Sequence, residues 1–161
     1  MLGAQGNGFA QVFAGLNPER IVVAYMAVGF GHYALDIASS YARDRKVWGV
    51  PIGAHQGIAH PMAIAKINVE LAELISSKAA WLFDNGYDAS ESANIAKFQG
   101  ADAALAALDQ SIQTLGGNGM SSEFGLADFW GVVRLYKTAP ISREMILNFI
   151  SQHSLGLPRS Y

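Results

Sequence analysis

The sequence predicts an all-α protein, an antiparallel bundle of three or four helices with short helices at its C-terminal end. Three observations carry this. Apolar residues recur at three- and four-residue steps through three long windows, whereas alternating β-branched runs are rare. Alanine, the strongest helix former, is abundant in those windows. Glycine and proline fall between them, so the connections are short and neighbouring helices run antiparallel. At 161 residues, 51% of them hydrophobic, the chain suits one domain with a substantial core.

The first helix is expected from Asn17 to about Lys46. Asn17 is a good N-cap, Pro18 fits a first helical position that needs no N–H, and Glu19 suits the positive end of the dipole. Ile21, Ala24, Tyr25, Val28, Tyr33 and Ala34 mark its apolar faces. The stretch VWGVPIGAHQ reads as a loop. A second helix is expected over 56–84. Its stripe is Met62, Ile64, Ile67, Leu71, Leu74, Ile75 and Leu82, with Pro61 tolerated in the first turns. Gly86 is the residue expected to close it.

A third helix begins near Asp88, where Asp88 and Glu91 have capping-box spacing. It runs to Leu115 through Ile95, Phe98, Ala101, Leu105, Leu108 and Ile112, and GGNG stops it. Shorter helices are expected over 125–136 and 140–154. The bundle is therefore read as residues 17–154, residues 1–16 as a tail or the remnant of an upstream domain, and 155–161 as a C-terminal tail.

Several function classes are disfavoured. The net charge of −2 comes with no basic stripe, so no nucleic-acid partner is expected. The absence of cysteine excludes disulfide and thiolate chemistry and fits a reducing cytoplasm. No signal peptide is evident, and the run RIVVAYMAVGFGHYAL falls short of the ~20 residues of a spanning helix, so no membrane span is expected. His32, His55, His60 and His153 lack metal-ligand spacing, and no metal is expected. GGNG lacks the Lys and Ser/Thr of a phosphate-binding loop, and no nucleophile elbow is present. Tyr25, Phe30, Trp81, Phe83, Phe98, Phe129 and Trp130 compete for a limited interior, so exposed apolar faces and self-association are expected.

Three stretches are more specific. YARDRKVWGVPIGAHQ (41–56) resembles an acyl-CoA dehydrogenase segment with Arg, Lys, an aromatic, Gly and Ile that ends in Gln. QTLGGNGM (113–120) is similar to that family's Gln-x-Leu-Gly-Gly-x-Gly turn, and LNPERI (16–21) to the opening of its first bundle helix. Order and spacing agree over roughly residues 3 to 150 and match only the family's C-terminal all-helical domain. A complete subunit adds a helical N-terminal domain and a middle β domain, and LGAQGNGF (2–9) resembles the end of the latter.

The resemblance implies oxidation of an acyl-CoA thioester to the 2,3-enoyl-CoA. A carboxylate removes the α-proton, and FAD takes the β-hydrogen as hydride. It implies that Arg45 reaches the FAD of a neighbouring subunit, that Trp48 packs near the cofactor where Phe is commoner, and that Gln56 closes the motif. Gln113, Gly116 and Gly117 are implied against the adenosine side of the same flavin. A guanidinium fork suits pyrophosphate oxygens, and glycines allow close backbone approach. On local sequence alone, Arg45 reads rather as a helix-end cation and the glycines as a plain helix stop. The implied partners are an acyl-CoA substrate, further copies in a tetramer or dimer of dimers, or a related subunit, and an electron-transfer flavoprotein as candidate acceptor.

The base departs from the common pattern. Most of the family carries it in a Tyr-Glu-Gly-Thr segment before the last helix. Here Pro140 stands at that position and Ala139 where an aromatic is usual. Proline offers neither a carboxylate nor the backbone N–H that would bond the thioester oxygen. Glu144 matches another family position. A minority of the family places the base on the first bundle helix just before an Arg, which matches Glu19 and Arg20. The resemblance therefore implies Glu19 as base, with Asn17 and Arg20 on the substrate side. The bland alternative for Glu19 is a first-turn charge worth about 0.3–1 kcal/mol. The chain alone is expected to be inactive. The alternative function is a noncatalytic partner or assembly subunit of a heteromeric acyl-CoA dehydrogenase-like complex.

Overall fold

Three long helices make up most of residues 3–159, the part that the computed structural model of the chain describes. They are α1 (Gly8–Asp44), α2 (Gln56–Asp84) and α3 (Ser90–Leu115). A short hairpin, β1 (Lys46–Val47) and β2 (Val50–Pro51), precedes α2, with Lys46 opposite Pro51 and Val47 opposite Val50. After α3 come a 3-10 turn at Gly116–Met120, another at Ala127–Phe129, then α4 (Trp130–Leu135), α5 (Arg143–Phe149) and a π-helical turn at Ile150–Ser154. The all-α bundle with short C-terminal helices is as expected. Met1 and Leu2 of the expected N-terminal remnant, and Ser160 and Tyr161 of the expected tail, lie outside the described residues.

The central helix is α3, buried along most of its length. Its Ala101, Ala104, Leu108 and Leu115 share a core with Ala27, Ala34 and Ala38 of α1 and with Leu126, Val133 and Tyr136 from the C-terminal turns. A second cluster joins Val28 and Leu35 of α1, Ala65, Val69 and Ala72 of α2, and Ala103 and Ala107 of α3. Small residues let these helices approach closely. A Cβ on Gly100 would lie 3.2 Å from the Ala24 carbonyl oxygen, and one on Gly31 would lie 2.8 Å from a Val69 methyl.

Four details differ from the sequence reading. First, α1 starts at Gly8, and its N-cap position is Asn7, without a side-chain cap. Pro18 lies inside the helix, so Asn17 is not a cap. A proline removes one N–H but does not stop upstream residues from forming helix where the ring is accommodated. Second, the expected α2 stripe is only partly inward: Met62 and Ile75 are half-buried against the core and Leu82 is half-buried, but the other four members point outward. Ile64, Ile67, Leu71 and Leu74 are exposed, whereas Ala65, Val69, Ala72, Ser76 and Ala79 face the bundle. Both sets recur at helical spacing, and close packing against α1 and α3 selects the smaller side chains.

Third, the expected capping box does not form: Asp88 accepts from the Ser90 N–H at 2.9 Å, a local Asx turn, α3 begins at Ser90, and Ala89 stands at the N-cap. Fourth, α1 is longer than the apolar run suggested. Residues Gly15–Asp44 are long and apolar enough to cross a bilayer by length and composition, but α1 packs along one side on α2 and α3. The α2 C-terminus follows the expectation. Gly86 has φ +72° and donates to Phe83 O, while Tyr87 N–H donates to Leu82 O, a complete Schellman closure.

Candidate functional site

The segment after α1 is built around a two-residue turn. Trp48 has φ +54° and Gly49 φ +83°, the paired positive values of a type I′ hairpin. Glycine adopts this freely, but a bulky aromatic in the left-handed region is strained, and such strain concentrates at ligand contacts. Trp48 is 89% exposed, held edge-on to His55 with ring centroids 5.9 Å apart. The His55 Nε2 is buried without a hydrogen-bond partner among the described residues. Gln56 follows as the exposed first residue of α2.

The end of α3 meets this segment. Gly116, at φ +61° and ψ −134°, terminates the helix in a conformation closed to side chains. Gly119 is required for packing, since its Cβ would lie 2.4 Å from the Ile112 carbonyl oxygen. At Gly117 a Cβ would meet nothing within 4 Å. The Asn118 amide donates to the Tyr41 hydroxyl at 3.1 Å, tying the turn to α1. Between them lies an open pocket of about 460 Å³ lined by Tyr41, Arg45, Gln113, Gly116, Gly117 and Asn118, among others. Four of the six residues expected at the cofactor therefore come together from segments some seventy positions apart. Trp48 and Gln56 do not line that pocket and sit on the adjoining hairpin and helix start.

The other expected cluster lies at the N-terminal part of α1. Arg20 is buried and donates through Nη1 to Asn17 Oδ1 at 2.9 Å, one turn earlier on the same face. Asn17 in turn donates to Ser90 Oγ at 3.2 Å, which links α1 to the start of α3. Burial pulls the Arg20 pKa below its ordinary value, and the neighbouring Glu19 carboxylate opposes that shift. Its Nε is buried without a partner among the described residues. Glu19 is exposed and joins no ion pair among them. Because α1 starts at Gly8, Glu19 is three turns into the helix, and the first-turn charge explanation no longer applies to it.

Sequence reasoning missed a charged platform on α3. Lys97 is 1% exposed, and its ammonium donates to the Ile141 carbonyl at 2.6 Å. Asp102 pairs with Lys137 at 2.7 Å and with Arg143, whose guanidinium lies 3.9 Å above the Phe98 ring. Burial opposes ionisation of Asp102, but the two cations more than offset it and hold its carboxyl below the usual range. The only sequence signal was a lysine within an alanine-rich, largely apolar window. The segment these residues hold, 137–143, contains Pro140.

The histidine spacing alone did not expose a second cluster. His32, Glu70 and Glu73 bring their ligand atoms within 4.8 Å of one another. Lys66 occupies the same corner. It pairs with Glu70 and lies 3.4 Å from His32 Nδ1, while His32 Nε2 meets Glu73 at 3.0 Å. Glu70 is thus already paired with the Lys66 ammonium, and Glu73 is hydrogen-bonded to His32.

The fold is an antiparallel helical bundle with an open pocket at one end, and comparison with known proteins gives the family. Residues 6–155 match the family model "Acyl-CoA dehydrogenase, C-terminal domain". The chain belongs to the acyl-CoA dehydrogenase family. It is 55% identical to acyl-CoA dehydrogenase FadE12 of Mycobacterium tuberculosis over 163 aligned positions, covering 100% of this chain and 42% of that protein. Butyryl-CoA dehydrogenase from Megasphaera elsdenii superposes with a TM-score of 0.92 at 29% identity, covering 98% of this chain and 41% of that one. The FAD complex of PigA superposes with a TM-score of 0.92 at 25% identity, covering 96% and 40%. The chain therefore spans about two fifths of the length of the relatives it matches.

Proposed function

We propose that this chain is the C-terminal domain of a flavin-dependent acyl-CoA dehydrogenase, in which Glu19 removes the α-proton of an acyl-CoA thioester. The observation that carries the reading is the pocket that gathers Arg45, Gln113, Gly116 and Gly117. Its donor set fits the pyrophosphate–adenosine side of FAD: a cation with forked donors, an amide side chain, and a glycine whose missing Cβ leaves room for close approach. Trp48, Gln56 and the orphaned His55 nitrogen extend that edge along the hairpin. Bound FAD supplies the redox chemistry, acceptance of the β-hydrogen as hydride.

The chain's own residues do the rest. Glu19 takes the proton, and the Asn17–Arg20–Ser90 bonds fix the helix turn that carries it. The cationic Arg20 stabilises negative charge developing beside it. Pro140 supplies no proton acceptor, and its ring replaces the N–H at that point of the 137–143 segment. The exposed Ile64, Ile67, Leu71, Leu74 and Trp81 of α2 support assembly into a homo-oligomer, tetramer or dimer of dimers, in which Arg45 serves a neighbouring subunit's flavin. An electron-transfer flavoprotein completes the reoxidation, in the cytoplasm.

Pro140 and the large apolar face of α2 favour a second reading, a noncatalytic partner of a related subunit. Expression of the complete polypeptide separates the two. A yellow protein that oxidises members of an acyl-CoA panel, and loses that activity with Glu19→Gln, supports the first. A flavin-bearing protein inactive on every thioester supports the second. The chain by itself is expected to be colourless, and a stoichiometric yellow complex of the isolated chain contradicts that part of the reading.

A further inference from the structure

The segment 137–143 is held to α3 at three points. Lys137 and Arg143 pair with Asp102, and between them the Ile141 carbonyl receives the Lys97 ammonium at 2.6 Å. The two outer contacts are partly solvated. Lys97 is the one fully buried member, a long cation committed to a backbone oxygen. Burying an ammonium is costly unless it is paired and hydrogen-bonded. Here the charged groups facing it are two cations and two anions, and its one hydrogen bond goes to a backbone oxygen.

The charged groups facing Lys97 come from each packed element: Arg20 from α1, Asp102 from α3, Arg143 and Glu144 from α5. Lys97 therefore lies between the Glu19–Arg20 turn and the 137–143 segment, the two places in this sequence where the base position is vacated or supplied. We propose that Lys97 is a positioning residue of the proton-abstraction site, fixing the Ile141 carbonyl and with it the Ala139–Ser142 turn relative to Arg20. The inference rests on the acyl-CoA dehydrogenase reading above. It assigns to α3 a part in catalysis without contact with the substrate.

The ammonium is the form that makes the strong, charge-assisted bond. Burial pulls the Lys97 pKa down to about 8; Arg20 acts in the same direction, and Asp102 and Glu144 oppose it. The hold on Ile141 thus weakens as pH rises through that value.

The test uses the complete flavoprotein with a panel of straight- and branched-chain acyl-CoA thioesters, and the variants Lys97→Met and Lys97→Arg. Lys97→Met is expected to keep its flavin and lower kcat by about 10- to 100-fold, the scale of an ångström-sized misplacement. Lys97→Arg is expected to restore most of that loss. The wild type should lose kcat above a pH of about 8, and Lys97→Arg should abolish this limb because a guanidinium does not titrate there. A merely structural lysine would not produce a limb that arginine removes. Wild-type kcat and an unchanged alkaline limb in Lys97→Met overturn the proposal. If Lys97→Met does not hold flavin, the wild-type and Lys97→Arg profiles decide, and identical profiles overturn it. If the wild type itself turns over no thioester, the functional reading fails separately. Amide exchange across 137–143 in the chain then decides: exchange no faster in Lys97→Met than in the wild type overturns the positioning claim.

Discussion

Substituting alanine for Gly119 should destabilise the chain severely, while the same change at Gly117 should not. The added Cβ at 119 would sit 2.4 Å from the Ile112 carbonyl oxygen, 2.8 Å from its Cα and 3.0 Å from its carbonyl carbon. The closest approach is about 1 Å inside ordinary contact. The obstructing atoms are helix backbone, so no rotamer change relieves them, and the turn must lift off α3. Overpacking of this kind costs about 1–3 kcal/mol, and an unyielding backbone neighbour places Gly119→Ala at the upper end. For a chain of this size each kcal/mol lowers Tm by roughly 2–4 °C, so a fall of roughly 6–12 °C is expected. At Gly117 the new Cβ meets open space, so Gly117→Ala should stay within about 0.5 kcal/mol of wild type. Thermal melts of the purified chain followed by circular dichroism provide the comparison. A Gly119→Ala protein melting within about 2 °C of wild type would refute the packing argument. In the complete protein, Gly117→Ala should still weaken flavin retention, because the space it fills is the space assigned to the cofactor.

Two further changes probe the strain and the ion pairs. Trp48→Gly relieves a bulky residue held at φ +54°, so the melting temperature of the chain should not fall, and flavin content of the complete protein should; a destabilised chain with full flavin content would reverse both expectations. Asp102 titrates below its usual value when folded, so its contribution to stability is present above pH ~4 and lost as pH falls through the lowered value. Asp102→Asn should therefore cost about 1–2 kcal/mol near neutral pH, since the pairs are partly solvated, and progressively less as pH falls below about 4, as read from urea melts at neutral and acidic pH. A deficit that does not shrink with acidification would show that packing, not charge, is lost.

The helical windows were legible because their apolar spacing is strong, and α2 was delimited at 56–84 from sequence alone. Which of its faces lies inside was not. Ile64, Ile67, Leu71 and Leu74 have the periodicity of a core stripe, and so do Ala65, Val69, Ala72 and Ala79. Only the close approach of α1 and α3 decides in favour of the small set. Pro18 is misleading in α1 because a proline after Asn looks like a helix start, which leaves residues 8–16 to read as tail although they are helical. The pocket residues were readable as motifs, but their convergence depends on the Asn118–Tyr41 link and the Gly116 turn. Lys97 and Asp102 were invisible as a site, since a lone lysine and a lone aspartate in an alanine-rich helix carry no pattern until α5 closes over them.

The central claim is that Glu19 takes the proton, and anaerobic mixing of the complete flavoprotein with its acyl-CoA tests it most directly. The wild type should bleach its flavin as the thioester is oxidised. Glu19→Gln should retain the flavin and bleach it slower by about 10²–10⁴-fold, the range ascribed to a positioned general base. Bleaching by Glu19→Gln at the wild-type rate would contradict the account and leave the proton with another residue.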